Sequence, residues 1–325
     1  MQSEEAAPFI GIAAAARGRQ AGRYRSGMYR TRISAGMPAA CGQCPKLAFD
    51  CNVHLPGTLP RLSKASMKRL RITLPLSLGV LAGWLALTIG VGWITSGGGT
   101  QSLGDAASVG IGPGWLLAAL FAAAFALASD DRRAAGLCAP RPWKSVGLVW
   151  LPLLYAALMV LAALGDQLTI PRATLLVLAV NMLAVGLSEE LMFRGVLLAG
   201  FLDRYTAWQA VFASSAIFGL MHALNGFTTG DVPDALWQSG GAFLQGVGYA
   251  AVRLRTRSIW PMAVVHGLWD FSLMLQLVSG AQQETAPLRP YVSLLLVMPI
   301  FLYGLYLLWD GRGEAPHGAT AGGTP

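Results

Sequence analysis

The chain has 325 residues, of which 54% are hydrophobic and 12% are charged, and its mean hydropathy is +0.51. Soluble globular domains carry roughly 25% charged residues, so the composition excludes an ordinary soluble domain. The formal net charge is +8, but nine of the basic residues precede Met67 and most of the others lie in short segments between apolar runs. This is the pattern of membrane topology signals, so we expect a lipid bilayer as partner and no nucleic acid.

Residues 1–66 differ from the rest of the chain. They are rich in Arg, Ala, Gly and Ser and have no sustained hydrophobic periodicity. Three interpretations are open: a disordered extension, a targeting segment, or an extension upstream of a true start at Met67, which directly precedes an apolar run. We expect residues 67–311 to form a helical membrane domain and residues 312–325 to be a disordered tail.

Eight apolar segments follow, each close to the about 20 residues that a helix needs to cross the hydrocarbon core. The sequence therefore predicts an all-α fold, a polytopic membrane protein of about eight transmembrane helices. The predicted spans are 72–94, 109–128, 146–164, 173–201, 207–226, 236–253, 258–279 and 290–309.

The connections between these spans alternate between ones that are rich in basic residues and ones that have few or none. They precede the first span and fill the segments between spans two and three, four and five, and six and seven. Segments 95–108 and 226–235 contain no Lys or Arg, and the two remaining segments contain one each. The positive-inside rule then predicts both termini in the cytoplasm. We expect a bacterial inner membrane as the location.

Two adjacent carboxylates and an arginine interrupt the fourth span. A charge at a bilayer centre costs at least ~2.5–3.5 kcal/mol, so such residues indicate a functional site. On a helix, Glu190 and Arg194 share a face and can pair, whereas Glu189 is rotated by about 100°. The pattern predicts one carboxylate that is held and one that is available.

Two of the chain's four histidines lie in later apolar spans. On a helix, His222 shares a face with Asn225, and His266 shares a face with Asp270. We therefore expect three helices to direct these groups and the glutamates into one buried, intramembrane active-site cavity, with Phe218 and Asn225 as supporting residues.

The residue types allow two chemical routes to hydrolysis. His222, His266 and Asp270 could bind Zn²⁺ or another divalent metal that activates water. Without a metal, Glu189 and His222 could activate water while His266 stabilises an oxyanion. The residues alone leave both routes open.

Three short motifs contain these polar groups. They are Glu189-Glu190-x3-Arg194, Phe218-x3-His222 and His266-x3-Asp270. In this order on successive helices they resemble the motifs of the CPBP family, which includes the CAAX prenyl endopeptidases and the bacterial Abi proteins linked to bacteriocin self-immunity. The resemblance covers about residues 140–310, which we expect to be a CPBP-like core.

The resemblance implies an intramembrane endopeptidase acting on a membrane-associated peptide or protein. It implies that Glu189 is the water-activating base, acting with His222, and that Glu190 and Arg194 are a supporting pair. These four residues would then form the catalytic set together with the third motif.

The third motif departs from the eukaryotic pattern at position 270. The resemblance implies that His266 and residue 270 stabilise the oxyanion or complete a metal site. Asparagine is expected at this position, and an ionised aspartate can accept but not donate a hydrogen bond. Asp270 must therefore be protonated, orient His266 or bind a metal. Of these, the metal-assisted reaction is slightly favoured, which predicts a metalloprotease.

Two rival functions come from other classes. Buried Glu, His and Asp also mark ion pathways, which would fit an ion- or proton-coupled transporter. A catalytically silent membrane scaffold, of the bacteriocin-immunity type, could keep the same fold. The single polar cluster and the absence of an evident inverted repeat argue against transport.

Overall fold

The computed structural model describes residues 70–129, 131–165, 170–279 and 289–310. Over these residues the chain is helical and contains no strand, which confirms the all-α prediction. The predictions for residues 1–66 and 312–325 lie outside the described residues.

The helices follow one another with short connections. Two π-helices, Ala86–Gly90 and Glu190–Leu197, and a 3₁₀ helix, Trp143–Val149, join or precede α-helices. The α-helices are α1 (Leu74–Leu85), α2 (Val91–Thr95), α3 (Leu103–Ser108), α4 (Pro113–Ala128), α5 (Trp150–Gly165), α6 (Arg172–Glu189), α7 (Leu198–Leu202), α8 (Ala207–Ala223), α9 (Asn225–Thr229), α10 (Val232–Thr256), α11 (Trp260–Ser279) and α12 (Arg289–Asp310).

Helix boundaries follow local sequence signals. Thr206 and Gln209 form a capping box at the start of α8, which satisfies backbone donors of its first turn. Asp231 accepts a hydrogen bond from the backbone of Asp234 and so caps α10. That helix ends at Thr256, and the φ of 56° at the next residue, Arg257, lies in the left-handed region that stops a helix.

The described helices make this an integral membrane protein, but the predicted number of eight spans is not confirmed. Five helical segments are long and apolar enough to cross a membrane: Leu74–Thr95, Trp143–Ala163, Arg172–Leu202, Ala207–Thr229 and Trp260–Ser279.

The other three predicted spans fall short of that standard for different reasons. Pro113–Ala128 is apolar but has 16 residues, and the apolar part of α12 is the shorter stretch Leu294–Asp310. Helix α10 has 25 residues, but it combines charged residues at both ends with several glycines and glutamines, which lowers its hydropathy.

Close packing between α6 and α11 positions the polar residues. A Cβ atom added at Gly186 would lie 2.5 Å from the backbone nitrogen of Gly267, and one added at Gly267 would lie 3.0 Å from Leu183 Cα. Only glycine permits the backbones to approach so closely. Helix α11 also packs on α5, while α10 packs between α8 and α12.

Candidate active site

The helix that contains Glu189 and Glu190 changes from an α-helix to a π-helix between these two residues. Helix α6 ends at Glu189, and a π-helix begins at Glu190 and continues to Leu197, with all eight of its residues buried. Short π-helical segments often occur at functional sites. The Glu190 side chain is fully buried, whereas that of Glu189 is 16% exposed.

Glu190 is held from two sides. Its Oε1 atom lies 3.1 Å from Arg194 Nη1, an ion pair that lacks the alignment of a hydrogen bond, and 2.9 Å from His266 Nδ1. Because an ionised carboxylate can only accept, His266 Nδ1–H is the donor. The predicted pairing of Glu190 with Arg194 is confirmed. The Arg194 guanidinium also lies over the Phe218 ring, 4.0 Å from its centroid.

The second nitrogen of His266 faces two more carboxylates. Nε2 lies 3.6 Å from Glu189 Oε2 and 3.6 Å from Asp270 Oδ2, and the imidazole side chain is buried. Glu189 Oε2 has no hydrogen-bond partner among the described residues. The imidazole therefore lies among three carboxylates and links the two glutamates.

Glu189, His222 and Asn225 line a common cavity of about 210 Å³. The structure thus brings together residues of two predicted motifs at one surface. His266 and Asp270 are not among the residues that line this cavity. Other lining residues include Trp84, Thr88, Trp115, Ser188, Met221 and Thr228.

Phe218 fixes the ring of His222. His222 Nδ1 lies 2.9 Å from the Phe218 carbonyl oxygen, and because a carbonyl can only accept, Nδ1–H donates to it. In this tautomer Nε2 is an unprotonated acceptor. The Phe218 ring lies 4.6 Å from the His222 ring and 6.0 Å from the His266 ring, centroid to centroid, so it contacts both imidazoles.

Asn225 lies just after the end of the helix that contains His222, and it lines the same cavity. Helix α8 ends at Ala223 and α9 begins at Asn225. Asn225 Nδ2 donates one hydrogen bond to Gln238 Oε1, at 2.8 Å. A primary amide has two N–H donors, so one hydrogen of Asn225 remains beyond the bond to Gln238.

Comparison with known protein families finds a match in the part of the chain that contains these motifs. The family model described as type II CAAX prenyl endopeptidase Rce1-like matches residues 171–272, a stretch that contains all three motifs. The resemblance to the CPBP family is confirmed. The match supports membrane CAAX protease activity. No curated protein matches the chain.

The CPBP-like site has no metal-binding geometry in the described part of the chain. No group of three or more His, Cys, Asp or Glu side chains there could hold a metal ion. Of the predicted ligands, His222 lines the cavity, whereas His266 and Asp270 lie outside its lining. The predicted metal site of His222, His266 and Asp270 gains no support from this geometry and stays a prediction.

Sequence reasoning missed two polar residues of this CPBP-like site. Gln245 Nε2 donates to Tyr249 Oη at 2.7 Å, and both residues are buried in α10. The Tyr249 ring lies 5.4 Å from the His266 ring and 5.6 Å from Arg194 Cζ. A glutamine and a tyrosine four residues apart in a glycine-rich helix were the available signal.

Proposed function

We propose that this protein is a membrane-embedded endopeptidase in which Glu189 activates the attacking water. The observation that carries the proposal is that Glu189 and His222 face one cavity while the adjacent Glu190 is held by Arg194 and His266. The match to Rce1-like endopeptidases supports the same reaction class.

Glu189 is the group that takes the proton. Glu189 lines the cavity and its side chain is partly exposed, so a water molecule there can reach the carboxylate, the group type that serves as a general base. A water molecule in the cavity would donate one hydrogen bond to Glu189 and a second to His222 Nε2. Glu189 removes a proton as the water oxygen forms a bond to the peptide carbonyl carbon.

The negative charge that develops on the carbonyl oxygen needs a donor within the cavity. The second N–H of Asn225 is suited to this role, because the bond to Gln238 fixes the amide before the reaction begins. Collapse of the tetrahedral intermediate then breaks the carbon–nitrogen bond. Glu189 returns its proton to the leaving nitrogen, so that the products are a carboxylic acid and an amine.

His266 and Asp270 act on Glu189 rather than on the substrate. His266 donates through Nδ1 to Glu190 and directs Nε2 towards Glu189 and Asp270. Arg194 and His266 together compensate the buried charge of Glu190. This arrangement would keep Glu189 oriented toward the cavity.

We further propose that both termini lie in the cytoplasm of a bacterial cell. The alternation of basic and non-basic connections along the whole chain supports this orientation. The protein would then lie in the inner membrane.

Cleavage by a Glu189→Gln variant tests the proposal. Purified protein in detergent would be incubated with farnesylated CAAX peptides and with unmodified apolar peptides, and the products followed by mass spectrometry. Loss of a general base lowers turnover by about 10²–10⁴-fold. Asp310→Asn is the matched control, because it makes the same chemical change at an exposed carboxylate.

The outcomes separate the candidate functions. Loss of cleavage in Glu189→Gln alone supports the endopeptidase. Equal cleavage by wild type and Glu189→Gln contradicts the assignment of the base. A wild type that cleaves none of these peptides favours the silent scaffold.

A further inference from the structure

We infer that the cavity admits its substrate from the end of the helix bundle that is poor in basic residues, so that the peptide is presented at the extracytoplasmic face. The inference rests on the proposed function and on the proposed orientation. It names the class of substrate as a peptide segment exposed outside the cytoplasm, in contrast to a cytoplasmic protein C-terminus.

One end of the bundle is defined by contacts between basic residues and helix termini. We call this the basic end. Arg71, before α1, pairs with Asp203, after α7, at 2.6 Å. Arg255 of α10 pairs with Asp310 of α12 at 3.0 Å. The exposed Lys144 lies in the connection that leads from α4 to α5.

The cavity is closed towards the basic end. Beyond Glu189 in that direction, every residue of the π-helix is buried, and its apolar side chains belong to a cluster with residues of α1, α4 and the start of α11. The segment after α4 covers this π-helix, because a Cβ atom at Gly195 would lie 3.1 Å from Ala135 O. Arg253 Nη2 donates to Ala134 O at 2.7 Å and holds that segment in place.

The cavity opens at the opposite end, which we call the basic-poor end. Its lining there consists of the ends of α2 and α9 and the segment between α2 and α3. Gly99 and Gln101 are exposed and also line the cavity. Gln101 N donates to Thr228 O at 3.0 Å, so two sides of the opening are joined by a backbone hydrogen bond.

Asn181 fixes a third side of this opening. Its Nδ2 donates to Ala107 O at 2.7 Å and to Gly110 O at 2.8 Å, and its Oδ1 accepts from Gly112 N at 3.0 Å. Asn181 is buried, so a helix within the bundle holds the chain between α3 and α4. The opening therefore has a defined structure that a substrate would meet before it reaches Glu189.

The composition of the opening suits a peptide. Hydroxyl and amide groups that can bind a peptide backbone line the path, and tryptophans next to them can contact apolar side chains. The polar residues are Thr88, Thr95, Ser96, Gln101 and Thr228, and the tryptophans are Trp84, Trp93 and Trp115.

The sidedness of this opening follows from charge. The connections at the basic-poor end, 95–108 and 226–235, contain no Lys or Arg. The positive-inside rule assigns such connections to the extracytoplasmic side. A C-terminal peptide in the cytoplasm would meet the closed end, whereas a segment outside the cytoplasm would meet the opening.

Three single-cysteine additions to the full chain test the inference by accessibility. Thr88→Cys lies in the cavity, Gln101→Cys lies at the opening, and Lys144→Cys lies at the basic end. A charged, membrane-impermeant methanethiosulfonate reagent is added to spheroplasts and, separately, to inverted membrane vesicles. Peptide mass spectrometry locates the label at the introduced cysteine, so the native cysteines do not confound the result.

We expect Thr88→Cys and Gln101→Cys to be modified in spheroplasts and to lose that modification in inverted vesicles, with the reverse for Lys144→Cys. Modification of Thr88→Cys from the same side as Lys144→Cys would overturn the inference. Modification of Gln101→Cys only in inverted vesicles would overturn the assignment of the substrate to the extracytoplasmic side. Failure to modify Thr88→Cys from either side would also overturn the inference, because the cavity would then be closed at both ends.

This test is independent of catalysis. The same labelling pattern is expected when Glu189→Gln is combined with each cysteine, because accessibility does not require turnover. The expected labelling without cleavage of any peptide would contradict the proposed function and leave the position of the opening established.

Discussion

Two neighbouring regions of this molecule use the same residue type in opposite ways. In the buried cluster, formed by Glu190, Arg194 and His266, the carboxylate has both a cation and a hydrogen-bond donor as partners. In the cavity, formed around Glu189 and His222, the adjacent carboxylate borders open space. The comparison shows that a single peptide bond separates a glutamate held by two partners from one that lines a cavity, and we propose that only the second is reactive.

The change of helix type accounts for this separation. Glu189 is the last residue of α6, and Glu190 begins the π-helix. Successive residues of any helix point in different directions, and here the π-helix that follows is buried along its whole length. Glu190 therefore faces protein on every side, while Glu189 still reaches the cavity.

The largest effect is expected from breaking the buried cluster. Arg194→Leu leaves the fully buried Glu190 carboxylate without its cation, and loss of one partner of a buried pair costs about 3–5 kcal/mol. Thermal denaturation of the protein in detergent measures the loss. Arg255→Leu is the control, because exposed pairs contribute about 0–1 kcal/mol. Equal melting of the two variants would mean that Arg194 does not stabilise the cluster.

A smaller effect is expected in the cavity, on turnover instead of stability. Asn225→Ala removes the proposed oxyanion donor, and loss of one such donor lowers kcat by about 10²–10³-fold. Gln238→Ala is the matched control, because it removes the partner that orients the amide but leaves the donor, and we expect a weaker decrease. An unchanged kcat in Asn225→Ala would exclude this residue as the donor.

A still smaller effect is expected when α6 and α11, which contain Glu189 and His266, are pushed apart. Gly186→Ala places a Cβ atom against the backbone of Gly267, and overpacking of this kind costs about 1–3 kcal/mol. In Gly241→Ala, nothing lies within 4 Å of the new Cβ atom, so we expect no destabilisation. Thermal denaturation compares the two variants, and similar melting would contradict close packing of α6 on α11 as a determinant of stability.

Much of the architecture could be predicted from hydropathy, because the length of the apolar segments and the alternation of basic connections do not depend on how the helices pack. The helical class and the pairing of Glu190 with Arg194 were predictable for this reason. The number of spans was not, since α10 is long but contains charged ends and internal polar residues. Sequence periodicity also could not predict the π-helix, which depends on packing around Glu190.

Sequence patterns pointed to the residues of the site, but they could not predict which of them line the cavity and which lie in the buried cluster. Helical spacing placed His222 with Asn225, and both line the cavity. The same reasoning directed His266 and Asp270 into that cavity, whereas neither residue lines it and the structure turns His266 towards the glutamates. The rotation of each helix about its axis decides this, and it is set by glycine contacts between helices that are remote in sequence.

The most direct test of the account compares Glu189→Gln with Glu190→Gln, with turnover and thermal denaturation measured on the same preparations. The account predicts that Glu189→Gln loses turnover and melts close to wild type. It predicts that Glu190→Gln melts at a clearly lower temperature, because Arg194 and His266 lose their common partner. A Glu189→Gln variant that retains turnover, or a Glu190→Gln variant that melts like wild type, would contradict the division of roles between the two carboxylates.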